Sequence, residues 1–531
     1  MIYLLYSETN ASTLRMNLGA AEYSYFFVLE YFRLMLEQYR ERYVLIGDPE
    51  QEADVHYDAA VLSGEQCVLL SFAPPHRTFL NLRCPTIPVF AWEFDTLPNE
   101  VWDNDARNDW RSVLTELGHA ITHSQYSADA IKRAMGEHFP VLAIPAPVFD
   151  RCNGEQDERP RELIASGPAL DSQSEREIQS AAPIATTAHA TTDQVTKKSI
   201  RQRLRLTLAY FAQWYRDVIR DLLPAPVQRL GSHVARGVFA SLKAVTSGGR
   251  SDRETSARRH GMMGEGTVSP TEGERPDPAS DDSKAFRLPT DGVIYTSVFN
   301  PFDGRKNWED ILKAFCCSLS DQEDAVLILK FTNARSTAAM DIVRDTLRRL
   351  PPFRCRVLVL GGLLDESEYR TLIAASTYVV NSSLSEGQCL PLMEFLSYGK
   401  PAIAPRNTAM TDYFDERIGF VVNSSKELCC WPHDPRNVFR AHRYRTDWQS
   451  LVDAFSASYR LKRGNPQRYD EMARAAITRM QDYCSQSVVW ERFQSFVRVR
   501  SPAQPCRSPR TLETDSPAAA QLASPVLASP S

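Results

Sequence analysis

The sequence predicts an α/β protein built on two parallel sheets, and three observations carry that expectation. Short apolar strands alternate with longer stretches through residues 1 to 150, the same alternation returns from 289 to 425, and the interval between them is polar and breaks the pattern. Strands separated by helix-length segments imply parallel pairing, because a parallel neighbour needs a long crossover that a helix supplies.

In the first half, strands are expected at residues 2–6, 43–46, 68–72, 89–91, 120–122 and 141–144, with an amphipathic helix over 25–40. The run Leu18-Gly19-Ala20-Ala21-Glu22-Tyr23-Ser24 follows the first strand and opens that helix. Glycine is a common turn residue there. The loop Ala91-Trp92-Glu93-Phe94-Asp95-Thr96-Leu97-Pro98 leaves another strand at the sheet edge where reacting groups gather. Glu93 or Asp95 could position a reacting hydroxyl or take its proton, and a helix-capping role is an equal alternative. His119 and His123 flank the strand at 120–122 and read as structural.

In the second half, strands are expected at 293–297, 325–331, 357–360, 378–381 and 402–404. The turn Asn300-Pro301-Phe302-Asp303-Gly304-Arg305-Lys306-Asn307-Trp308 leads from the first of them into a helix. Arg305 and Lys306 are cations at a helix entrance, a place that prefers anions, so a bound phosphate group would resolve the conflict. Solvated turn residues are the plainer alternative.

The interval 151–288 is rich in Ser, Ala, Thr, Gly, Pro and charge, a composition that cannot bury enough apolar surface to offset chain entropy. One segment within it differs. Leu204, Leu208, Phe211, Tyr215, Val218 and Leu222 form a single helical stripe, and residues 197 to 243 carry ten Lys or Arg against two Asp. A basic amphipathic helix near 197–223 reads as a membrane-surface or partner-docking element, or equally as a helix packed on the protein's own domains. We therefore expect an N-terminal domain over 1–150, a low-complexity insert over 151–288, a C-terminal domain with closing helices over 289–500, and a disordered tail over 501–531.

Composition limits the alternatives. The 531 residues leave room for two or three domains, 43% hydrophobic content supplies a core for each, and a net charge of -5 offers no general attraction to nucleic acid. Eleven cysteines occur without a C-x-x-C pair, which fits reduced thiols and a cytoplasmic setting better than a disulfide framework or a tetrahedral metal site. No run of about 18 apolar residues predicts a membrane span, and the first residues lack a basic leader.

The most informative run is Ser385-Glu386-Gly387-Gln388-Cys389-Leu390-Pro391-Leu392-Met393-Glu394, with one carboxylate on the loop after a strand and another about two turns away in the next helix. In doubly wound sheets that crevice is where nucleotides bind, since the free NH groups opening the helix point at an anion. Together with Gly399-Lys400-Pro401, the apolar 402–404, Asp412-Tyr413 and Gly419-Phe420-Val421-Val422, this order resembles the donor half of retaining glycosyltransferases of family 4. The resemblance is strongest over residues 290 to 425 and covers roughly half the chain.

It implies a GT-B architecture of two Rossmann-like domains facing a cleft. It also implies transfer of a sugar from a nucleoside-diphosphate sugar to a hydroxyl of a glycan or lipid-linked acceptor, in polysaccharide or glycolipid assembly. Glu386 would lie near the transferred sugar and Glu394 would accept ribose hydroxyls. Gly19, Gly387 and Leu390 would border the donor, and Lys306, with Arg305, would meet the diphosphate. Fixed cations help most where leaving-group charge develops, so no metal or other cofactor is expected. The family's usual arginine falls here among Val298, Phe299 and Asn300, and its usual histidine near residues 91–98 is missing. A non-catalytic sugar-nucleotide scaffold or sensor is the alternative class. The expected location is the cytoplasm, with peripheral attachment to an anionic inner membrane face by the basic helix.

Overall fold

The computed structural model describes residues 1–152, 160–173 and 284–500, apart from residues 21, 161, 166, 290, 334, 335 and 433. The basic stripe near 197–223 and the tail from residue 501 lie outside the described residues.

Six strands, β1 (Ile2–Tyr6), β2 (Arg42–Leu45), β3 (Cys67–Ser71), β4 (Thr86–Phe90), β5 (Ala120–Thr122) and β6 (Val141–Ala143), form the first sheet. Their order is β2-β1-β3-β4-β5-β6 and every pair is parallel. Two short strands, β7 (Glu162–Ala165) and β8 (Ala169–Asp171), precede β9 (Lys284–Arg287). The second sheet then takes β10 (Val293–Phe299), β11 (Ala325–Phe331), β12 (Arg356–Leu360), β13 (Tyr378–Val380), β14 (Ala402–Pro405) and β15 (Gly419–Val422). Its order is β15-β14-β13-β10-β11-β12-β8, parallel except for β8 at the edge. An antiparallel ribbon of β16 (Ser424–Cys430) and β17 (Phe439–Thr446) follows. This is the expected α/β architecture of two Rossmann-like halves.

Helices cover both faces of the second sheet, so its central strands are largely buried and mostly apolar rather than alternating. All seven residues of β11 are buried, and Tyr295 of β10 stacks on Tyr378 of β13 at 5.4 Å. The polar exception within β11 is Lys330, only 2% exposed.

Two features of the fold were not expected from the composition. Residues 162–165, 169–171 and 284–287, placed by composition in the low-complexity insert, form strands. β8 closes the edge of the second sheet, where Asp171 pairs with Arg356 at 2.6 Å, and β7 pairs with β9. The last helix, Gln486–Arg500, returns to the first half. Its buried stripe of Val489, Trp490, Phe493 and Val497 needs an apolar surface, and Tyr3 and Tyr39 provide one, with ring centroids 5.7 Å from Phe493 and 4.7 Å from Trp490 respectively. Among the described residues, no helix is long and apolar enough to cross a membrane.

Candidate functional site

The loops leaving the C-terminal ends of β1, β4, β10, β11, β12 and β13 line one cavity of about 600 Å³ between the two sheets. Strand ends of a parallel sheet converge there because each crossover helix begins at that edge, leaving unpaired NH groups and loop side chains around a crevice. Gly19, Glu93, Arg305, Lys306, Glu386, Gly387, Leu390 and Glu394 all border it.

The charged residues of the cavity form a row. Asp303 caps the short turn Gly304–Lys306 by accepting from the Arg305 backbone NH, which aims Arg305 and Lys306 at the facing loops. Lys306 Nζ lies 2.6 Å from Glu386 Oε1. The Arg305 guanidinium reaches Glu93 across the cleft at 2.7 Å and Asp303 at 2.8 Å. Burial alone would raise the Glu386 pKa, but Lys306 and Arg305 outweigh it and hold the carboxyl below its ordinary range. Glu93 goes the other way, since burial raises its pKa more than Arg305 lowers it. The same pairings keep Lys306 and Arg305 firmly protonated despite burial.

Glu394 stands on the helix Leu390–Ser397, which starts with Leu390 and Pro391 against the cavity. Its Oε1 accepts from the Tyr31 hydroxyl at 2.6 Å and its Oε2 from Tyr369 at 2.5 Å. Two phenols thus sit where the resemblance implies a ribose diol. Each carboxylate oxygen keeps a second lone pair, so the phenols do not exhaust it. Burial raises the Glu394 pKa, and the two phenol hydrogen bonds counter this only in part.

The glycines mark close contacts between the halves. Gly19 has φ +83°, and a Cβ there would lie 2.2 Å from Asn333 Nδ2. Its carbonyl accepts from Asn300 Nδ2 at 2.9 Å, so in this structure Gly19 admits the opposite half. A Cβ on Gly387 would lie 2.8 Å from the Ala91 Cβ.

Asp95 is the predicted site residue that the fold does not bring to the cavity. The chain bends over residues 94–96 and turns Asp95 toward the ribbon, where it meets Lys426 at 2.9 Å and His442 Nδ1 at 2.9 Å. These contacts of Asp95 are with a strand ribbon and not with a helix end. His123 is 1% exposed, shares a hydrogen bond with the Ile144 carbonyl, and has its pKa pushed down to about 4 by burial. His119 packs against Phe496.

Tyr31, Tyr369, Asp303 and Lys330 also border the cavity and were passed over in the sequence. Only Lys330 left a readable trace, as a lysine inside the apolar run Ala325–Phe331. The tyrosines come from helices distant in sequence, with no spacing to connect them to Glu394. Among the described residues, no three His, Cys, Asp or Glu side chains gather as metal ligands.

No protein-family model matches the chain, and no curated protein is similar to it in sequence. Similar solved structures include the Anabaena protein HepE in complex with UDP and glucose, 11% identical with a TM-score of 0.45, covering 94% of this chain and 99% of that one. A glycosyltransferase from Rickettsia africae is 9% identical with a TM-score of 0.45, covering 94% and 98% respectively. The pneumococcal O-GlcNAc transferase GtfA in complex with UDP and GlcNAc is 10% identical with a TM-score of 0.40, covering 84% and 60%.

Proposed function

We propose that the chain is a retaining glycosyltransferase, moving a sugar from a nucleoside-diphosphate sugar to an acceptor hydroxyl in polysaccharide or glycolipid assembly. The observation that carries this reading is the placement of Glu386, Glu394, Arg305, Lys306 and Glu93 around one cavity at the strand ends of two Rossmann-like sheets. Such an edge suits a nucleotide, and the neighbouring cations suit a diphosphate leaving group.

In this reading the acceptor oxygen forms a bond to the anomeric carbon as the bond to the phosphate oxygen breaks, on the same face of the sugar. The acceptor proton passes to the departing diphosphate. Lys306, paired with Glu386 at 2.6 Å, moves its charge toward the leaving oxygen, while Glu386 borders the sugar. Glu93, a carboxylate whose pKa burial raises, faces the acceptor side. Glu394 takes the ribose, and Gly387 and Leu390 border the donor. The basic stripe at 197–223 holds the enzyme at an anionic inner membrane face, near a lipid-linked or glycan acceptor.

A second reading, a sugar-nucleotide-binding scaffold without turnover, draws support from the residues at two places where the resemblance implies an arginine and a histidine: Val298, Phe299 and Asn300 stand at the first, and residues 91–98 contain no histidine. One experiment separates the two. The purified protein is incubated with UDP-, GDP- and ADP-sugars and a panel of glycan and lipid-linked acceptors, and released nucleoside diphosphate is measured. Acceptor-dependent release with an α-linked product from an α-linked donor supports the enzyme. Donor binding with no release across the panel favours the scaffold, and no binding rejects both.

A further inference from the structure

The cations expected to meet the diphosphate are already neutralised. Arg305 and Lys306 face three carboxylates, Glu93, Asp303 and Glu386, so that row has no surplus positive charge for a phosphate group. Lys330 differs. It lies at the C-terminal end of β11, borders the same cavity, and is 2% exposed. Its ammonium donates to two main-chain carbonyls, those of Phe331 at 3.1 Å and of Gly362. Among the described residues, no carboxylate lies within ion-pairing distance of it. A buried cation without a counter-ion is costly, and burial accordingly depresses the Lys330 pKa to about 8 against a minor opposing effect of Glu368.

Its register adds a positional argument. Lys330 pairs with Val298 across β10 and β11, and both border the cavity. Register partners on adjacent parallel strands are about 5 Å apart and project from the same face. The place where the resemblance leads one to expect an arginine falls among Val298, Phe299 and Asn300, at the end of the strand beside Lys330.

We propose that Lys330 is a substrate-binding residue, the counter-charge for the phosphoryl oxygens of the donor diphosphate. The proposal rests on the nucleotide-sugar reading for the identity of the ligand, though not for the presence of an anion. A phosphate oxygen arriving at the strand ends would accept the third ammonium proton, the one the Phe331 and Gly362 carbonyls do not take, and the buried charge would gain its partner on binding.

The test titrates wild type, Lys330→Met and Lys330→Arg with inorganic pyrophosphate and with UDP, GDP and ADP in a calorimeter. Loss of one charge-assisted contact predicts about ten- to hundredfold weaker binding of pyrophosphate, and of each nucleoside diphosphate that wild type binds, to Lys330→Met. Lys330→Arg should recover part of that loss. Equal affinities for wild type and Lys330→Met overturn the role of Lys330 and leave the nucleotide-sugar reading standing. Lys330-dependent pyrophosphate binding with no nucleoside diphosphate bound supports the anion site and overturns the nucleotide reading. Absence of all binding to wild type overturns both.

A second measurement needs no variant. Pyridoxal phosphate, an aldehyde bearing a phosphate, condenses with a neutral lysine amine at an anion site with loss of water, and borohydride then reduces the imine to a stable amine. Peptide mapping of wild type should find this label on Lys330, with pyrophosphate protecting it. Labelling of Lys306 with Lys330 unmodified overturns the proposal.

Discussion

Lys306 and Glu386 each depend on the other for the charge they carry, because Glu386 is buried and Lys306 is partly so. Removing the lysine leaves a carboxylate unpaired, a large penalty in a low-dielectric site. Lys306→Ala should therefore reduce turnover more than donor affinity, since its charge matters most as the diphosphate departs, and steady-state kinetics on the best donor checks this. For Glu394→Ala, lost ribose hydrogen bonds of about 1.5–3 kcal/mol each should weaken nucleotide binding in a calorimetric titration. The same change leaves the Tyr31 and Tyr369 hydroxyls without their acceptor, so the unliganded protein should also melt earlier. Lys330 predicts a pH effect of definite sign. Its folded pKa is depressed from 10.5 to about 8, so the folded state bears the full cost of its charge below pH 8 and loses that cost as pH rises toward 10.5. The unfolded chain binds more protons in that window, and stability rises with pH. Relative to Lys330→Met, wild type should gain on the order of 2 kcal/mol between pH 7.5 and 9.5, measured by urea unfolding.

Two of the elements that join the halves of the chain carry testable packing. The loop after β13 meets the loop after β4 so closely that a methyl group at Gly387 would strike Ala91. Gly387→Ala should cost about 1–3 kcal/mol and weaken donor binding, because the loops that border the cavity must separate. The closing helix Gln486–Arg500 is the second element, and Phe493 is fully buried between Tyr3, Phe32 and Trp490. Phe493→Ala should cost about 3–5 kcal/mol in chemical unfolding. Loss from the first half alone, detected by proteolysis of residues 1–143 before residues 293–422, would match the packing of that helix.

At the scale of the whole molecule, cross-cleft contacts such as Tyr23 to Thr332, Gln125 to Asp412 and Thr96 to the Arg440 carbonyl are spread along the interface. A nucleotide sugar in the cavity would touch both halves at once, so binding should raise the melting temperature in a single cooperative step. The interval outside the described residues contributes a separate prediction from its sequence. With ten basic residues against two acidic ones over 197 to 243, each worth about 1 kcal/mol near an anionic surface, it should bind anionic vesicles in a salt-sensitive way. Deleting residues 197 to 245 should abolish co-sedimentation with such vesicles while leaving nucleotide binding intact. Equal sedimentation of both proteins would assign the stripe to internal packing.

The strands and their parallel order were legible in the chain, because apolar runs of strand length separated by helix-length segments leave few other ways to pair. Glu93, Arg305, Lys306 and Glu386 could be picked out as candidates for a similar reason, since each sits on a loop at a strand end within a short local pattern, whereas Asp303 beside them was passed over. Local pattern failed where partners come from far away. The phenols on Glu394 arrive from residues 31 and 369, and the ribbon that takes Asp95 comes from residues 426 and 442. The final helix crosses to the first half, where Tyr3, Phe32 and Tyr39 pack on its buried stripe. Lys330 stood in plain view as a lysine among aliphatics, yet its meaning came from packing: burial removed its water, and the counter-charges nearby had gone to Arg305 and Lys306. Periodicity is a property of neighbours along the chain, whereas charge balance in a cavity depends on which distant groups the fold assembles around it.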